Sequence, residues 1–202
     1  MKKLSTFNSQ LSTPNGFTLI ELLVVIGIMV FVGGMIGSIL FSSLRGTNKT
    51  NTITVVRQNG SFAITQMAKM IRNAREFNGV STDGSTFVTD CSKIVAPTPS
   101  PAYVSITSFD GGTTTFSCCS STITSSSASL SSVCSPGNYT ELIDTNVVKL
   151  DSCSFSCTQS GTFDYPNIGI NFSLSAQGTN LPPEKSATIP FQTSIILRNV
   201  GR

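Results

Sequence analysis

Ten carboxylates, six cysteines and no histidine set the chemistry open to this chain of 202 residues. A serine or cysteine nucleophile needs a base beside it, and histidine is the commonest one. Asp83, Asp90, Asp110, Asp144, Asp151 and Asp164 are scattered, each suited to a turn or a surface rather than to a catalytic pair. None takes the alternating spacing of a calcium loop. Zinc is bound by sulfur and nitrogen ligands in sets of three or four, and a chain without histidine or a paired C-x-x-C is poorly equipped for it. No catalytic site, no cofactor and no metal site are therefore expected.

The cysteines point instead to cross-linking. Cys91, Cys118, Cys119, Cys134, Cys153 and Cys157 all follow a long apolar segment, and an even number in an exported domain implies disulfides in an oxidising compartment. If Cys153 to Cys157 is extended, both side chains lie on one face about 13 Å apart. A disulfide needs Cα atoms within about 7 Å, so these two serve different partners. Adjacent Cys118 and Cys119 face opposite ways in a strand and also enter separate bridges. Fifteen pairings of six cysteines exist, and the spacing leaves the choice among the remaining ones open.

One carboxylate stands apart from all the others. Glu21 lies near the start of "NGFTLIELLVVIGIMVFVGGMIGSIL", residues 15 to 40, which is otherwise without charge. From Leu22 to Leu44 run 23 uncharged residues. As a helix they extend roughly 35 Å, enough to cross a hydrocarbon core of about 30 Å. The segment is too long, and lacks the small-residue cleavage site, for an ordinary signal peptide. A lipoprotein needs a cysteine just after the apolar run, yet the first is Cys91. A plain signal anchor accounts for the hydrophobicity but not for Glu21, nor for a polar leader that stops at Gly16-Phe17.

The residues Gly16-Phe17-Thr18-Leu19-Ile20-Glu21-Leu22 resemble the processing and methylation site of type IV prepilins and pseudopilins. That resemblance implies cleavage between Gly16 and Phe17 by a prepilin peptidase, which then methylates the new amino terminus of Phe17. The exposed α-amino group is largely protonated near neutral pH, with a reference pKa of about 7.7–8. Glu21 sits four residues on, one helical turn along the same face. Each charge alone at the edge of hydrocarbon costs roughly 2–3 kcal/mol or more, and pairing offsets part of that. The pair can form within one chain or between an incoming and a docked subunit; in the family the second arrangement drives filament growth. The chain lacks the proline that many pilins carry partway along this helix. Gly33, Gly34 and Gly37 occupy that neighbourhood, and Gly33-x-x-x-Gly37 permits close helix packing in a membrane.

These residues need elements to position them. Four segments are expected: a cleaved cytoplasmic leader at 1–16, a transmembrane and filament-core helix at 17–44, an amphipathic helix continuing the stem at 45–78, and a β-rich globular head at 79–202. The second helix places Ile53, Val56, Ala63, Met67, Met70, Ile71, Ala74 and Phe77 on one face. A soft join is expected near Gly46-Thr47-Asn48, and Asn78-Gly79 reads as a helix stop. Gly60 weakens the helix locally. Beyond it, strands are expected at 103–109, 113–118, 147–157, 169–175 and 187–197. Turn signals separate them at Asp83-Gly84, Pro97 to Pro101, Asp110-Gly111-Gly112, Pro136-Gly137 and Pro182-Pro183. In the last strand Ile189, Phe191, Thr193, Ile195 and Leu197 share a face.

The fold class expected is α+β and pilin-like: a long N-terminal helix, membrane-spanning in its first half, packed on a mainly antiparallel sheet with disulfide-stapled loops. The "MIRNA" end of the helix and the final "TSIILRN" strand look most like minor pilins and the J-class minor pseudopilin of type II secretion. Such a resemblance implies a structural subunit whose partners are the prepilin peptidase and methyltransferase, other pilin or pseudopilin subunits and an inner-membrane assembly platform. It would sit in the cytoplasmic membrane with its head outside, then enter a periplasmic or cell-surface filament. Net charge is only +3, with no basic cluster interleaved with aromatics, so no nucleic-acid partner is expected. Charge is unevenly spread: residues 17–80 hold six bases and two acids, residues 81–202 five bases and eight acids. Two alternatives stay open, a membrane-anchored binding or adhesion domain that never assembles, and an anchored hydrolase.

Overall fold

A computed structural model of the chain describes residues 16–94, 100–127, 134, 139–161, 164–178 and 186–197. Residues 1–15 of the expected leader, residues 97–99 of the turn expected at 97–101, and the turns expected at 136–137 and 182–183 lie outside them. The chain divides into two compact units, Met1–Leu44 and Arg45–Arg202. Helix α1, Leu19–Arg72, contributes to both and is unbroken at Gly46-Thr47-Asn48, where a soft join was expected. Side-chain hydroxyls bind back onto the preceding turn there, Thr50 to the Gly46 carbonyl and Thr52 to that of Asn48, both at 3.0 Å.

In the first unit α1 is apolar on every side. It is long and apolar enough to cross a membrane, and none of its most apolar stretch is buried. A helix greasy all round, with none of its most apolar stretch buried among the described residues, suits hydrocarbon.

In the second unit the helix becomes one-sided. Val56, Gly60, Ala63, Met67 and Ile71 form its buried stripe, at steps of three and four. The helix stops at Arg72, not at the expected 78, because sheet pairing captures the chain. Ala74 N–H bonds the Ile71 carbonyl at 3.2 Å, closing a tight last turn, and Arg75 N–H bonds the Thr107 carbonyl at 2.8 Å. Strand β1, Glu76–Ser81, follows at once, so Phe77 is buried from a strand rather than from the helix. Gly79 is likewise not a helix stop. It sits at a bulge in β1 with φ +123°, and a Cβ there would lie 2.7 Å from the Val88 carbonyl oxygen.

Two antiparallel sheets complete the head. The first is ordered β1-β2-β3-β4-β5, adding Tyr103–Thr107, Thr113–Cys118, Ile123–Ser126 and Thr140–Glu141 in turn. The second is β6-β7-β8, from Val148–Thr158, Asn167–Ala176 and Thr188–Ile196. Five of the eight strands match the expected ones within a few residues; β1, β4 and β5 were not foreseen. The β2–β3 hairpin turns at Asp110-Gly111-Gly112, with Gly111 at φ +83° and Asp110 accepting the Gly112 N–H at 3.0 Å. A single core joins Ala63, Met67 and Ile71 of α1 to Val104, Ile106 and Phe116 of the first sheet and Phe155, Ile168, Ile170 and Leu174 of the second. The fold is α+β and pilin-like in arrangement.

Candidate functional site

The candidate processing and assembly segment lies where α1 begins. Gly16, Phe17 and Thr18 precede the helix and are exposed, Phe17 at 80%. A Cβ at Gly16 would meet nothing within 4 Å, so no part of the described chain shields the peptide bond between Gly16 and Phe17. Thr18 is the N-cap. Its carbonyl accepts the first intrahelical bond from Leu22 N–H at 3.2 Å, and its side-chain oxygen accepts the Glu21 N–H at 3.3 Å. Glu21 thus occupies the third helical position, completing the Thr-x-x-Glu pattern of a capping box. Its negative charge also opposes the positive end of the helix dipole. The role of Thr18 escaped the sequence reading, although Ser/Thr-x-x-Glu before an apolar run was there to find.

Among the described residues, no ion pair involves Glu21. Gly33, exposed, and Gly37, half-buried, lie in the unbroken apolar part of α1, with open space where each Cβ would be. The two are one turn apart on the same face and present a smooth strip for another helix.

The six cysteines form three disulfides: Cys91–Cys157, Cys118–Cys153 and Cys119–Cys134, with Cα separations of 5.5, 5.6 and 5.8 Å. Cys153 and Cys157 do serve different partners, as do Cys118 and Cys119. A bulge turns both cysteines of β6 toward the core. The pairing of β6 with β7 skips Asp151, between Leu150 and Ser152, which shifts the inward set from Val148 and Leu150 to Phe155 and Cys157. Cys118–Cys153 ties the first sheet to the second. Cys91, in a 3-10 turn at Cys91–Lys93, anchors that loop to β6.

Most of the scattered acids cap turns. Asp83 accepts bonds from Ser85, Thr86 and Ser81, led by the Ser85 hydroxyl, and these hold its carboxyl well below the usual range. Asp90 is lowered chiefly by the Ser92 hydroxyl and forms an ion pair with Lys93 at 3.1 Å. Asp144 accepts the Asn146 N–H at 3.0 Å. Asp151 receives the Ser175 hydroxyl at 3.0 Å. Each of these carboxylates is engaged locally, and none faces another.

An apolar helix with a capped, charged start and a disulfide-stapled β head defines the class: an arrangement like that of a membrane-anchored, pilin-like protein. The chain matches no protein-family model, no curated protein and no solved structure.

Proposed function

We propose that this chain is a non-enzymatic structural subunit of a type IV pilus-like filament, a minor pilin or a pseudopilin. Its apolar helix holds it in the cytoplasmic membrane with the head outside. A prepilin peptidase cuts between Gly16 and Phe17 and methylates Phe17. Other pilin or pseudopilin subunits and the inner-membrane assembly platform then take it into the filament.

One observation carries this reading: the exposed Gly16-Phe17 junction directly precedes a capped helix start whose third residue is the lone acid of an otherwise uncharged, unburied membrane-length stretch. A plain anchor has only a weak use for an acid there, at the positive end of the helix dipole. A new amino terminus at Phe17, one turn away, has a direct one. The disulfides fit a head outside the cytoplasm.

Intact mass of the chain isolated from membranes tests it. The expected product starts at methyl-Phe17. A chain that retains residues 1–16 is an anchored domain that does not assemble, and the filament reading is then wrong.

A further inference from the structure

The second sheet ends in an open edge beside a basic helix face. Strand β8 is the last of β6-β7-β8, and its register with β7 is uninterrupted. Ala187 accepts the Ala176 N–H at 3.3 Å, and Leu197 donates to Pro166 at 3.1 Å. Both bonds belong to odd-numbered residues that flank this strand in the same register. In an antiparallel ladder such residues alternate, so Thr188, Pro190, Gln192, Ser194 and Ile196 turn their backbone groups away from β7. Among the described residues, no backbone group pairs with the outward N–H groups of Gln192, Ser194 and Ile196. Pro190 has no N–H to present, a common way of blunting an edge. The blunting covers one half of the strand and leaves the half from Gln192 onward open.

A groove of about 540 Å³ runs between that open half and α1, lined by Ile64, Ala68, Lys69, Arg72, Gln192 and Thr193 among others. No acid lines it. Lys69 and Arg72 are exposed and three residues apart on the helix, so their Cβ atoms are about 5–6 Å apart. Alternate side chains on one face of a strand repeat about every 6.5–7 Å. The two spacings differ by about 1 Å, a gap that the long, flexible lysine and arginine side chains can span.

We infer that the β8 edge and the Lys69/Arg72 face form a docking groove for an extended acidic segment of another protein, added as a fourth strand. The segment's backbone completes the ladder at Gln192, Ser194 and Ile196. Carboxylates at alternate positions reach Lys69 and Arg72, and a small apolar side chain in the same series meets Ile64 and Ala68. Main-chain bonds supply affinity and the alternate side chains supply selectivity. The groove uses nothing from the processing segment, so it stands or falls independently of filament entry.

Fluorescence anisotropy on the full chain in detergent micelles tests this. The probe is a fluorescein-labelled peptide, Thr-Val-Thr-Asp-Thr-Glu-Thr, and the control replaces its two acids with lysine. The acidic probe is expected to bind, and to release as salt rises to about 0.5 M. Lys69→Glu/Arg72→Glu should weaken binding by about tenfold or more. Gln192→Pro removes an outward N–H and no ladder bond, so it should weaken binding by a similar factor, about tenfold, with the melting temperature unchanged. Equal binding of the acidic and basic peptides overturns the proposal. So does full binding by Gln192→Pro, or by the doubly reversed helix, whose changed residues touch no core. Self-association of the chain without peptide, abolished by Gln192→Pro, would make a second copy the occupant and also overturn it.

Discussion

At the residue scale the question is what Glu21 does, since two physical roles meet at one carboxylate. As the third residue of a helix capped by Thr18, it places a negative charge at the positive end of the dipole and so stabilises the helix start. As the lone acid before a membrane-length stretch, it offers a partner to the amine that cleavage creates. Conservative substitutions separate the two. Glu21→Gln keeps the length and the capping acceptor but removes the charge; Thr18→Ala removes the cap and keeps the charge. If pairing governs assembly, Glu21→Gln should leave insertion and trimming intact while cutting incorporation into filaments by about tenfold or more, the effect of losing roughly 1.4 kcal/mol. Thr18→Ala should cost about 1 kcal/mol of helix stability, and so less incorporation. The check is the ratio of subunit in sheared filaments to subunit in membranes. Normal incorporation of Glu21→Gln would reduce the acid to a capping residue. At the same site, Gly16→Val should stop trimming by obstructing the peptidase, read as a mass that retains residues 1–16. Glu21 was legible in the sequence because a charge in grease is expensive whatever the fold. Thr18 was not noticed, because its hydroxyl matters only relative to a helix boundary.

At the element scale, Gly60 shows why local propensity misled. Glycine weakens a helix by about 1 kcal/mol relative to alanine, so it reads as a soft spot. In the structure it belongs to the buried stripe of α1, and the Phe191 ring of β8 lies against it; a Cβ there would fall 2.1 Å from the ring. That ring cannot readily retreat, because it stacks on Phe172 with centroids 5.1 Å apart. Gly60→Ala should therefore destabilise the head by about 1–2 kcal/mol, overpacking of about 1–3 kcal/mol outweighing the gain in propensity. Phe191→Leu in the same chain should recover part of the loss, a coupling that a thermal double-mutant cycle measures. Independent, additive losses would show that the ring moves freely. The end of the helix misled in a related way. Ala74 and Phe77 fit a helical stripe, but the Arg75–Thr107 bond commits the chain to a sheet, a long-range event that no local period reports. Strands β7 and β8 were legible because their apolar residues alternate cleanly, whereas β4 buries Thr124 and Ser126, and β5 has two residues, both exposed.

At the scale of the molecule, the disulfides decide how far the head depends on its compartment. The sequence restricted their partners through strand geometry, but the choice needed the two sheets brought together. Only then does Cys118, at the end of β3, meet Cys153 of β6. That bridge spans 35 residues, against 15 for Cys119–Cys134. Chain-entropy reasoning assigns about 3–4 kcal/mol to the longer loop and about 3 kcal/mol to the shorter. The longer bridge also joins the two sheets directly, strand to strand, so its loss frees more of the structure. For a domain of this size about 1 kcal/mol corresponds to roughly 2–4 °C. Cys118→Ser/Cys153→Ser should therefore lower the melting temperature of the head by about 6–16 °C. Cys119→Ser/Cys134→Ser should lower it less. Circular dichroism of the full chain in micelles, with free thiols counted, checks both. Equal shifts would mean that neither loop length nor the tie between sheets sets the stability. An unchanged transition in both variants would mean that hydrophobic burial holds the head together and that the bridges are dispensable.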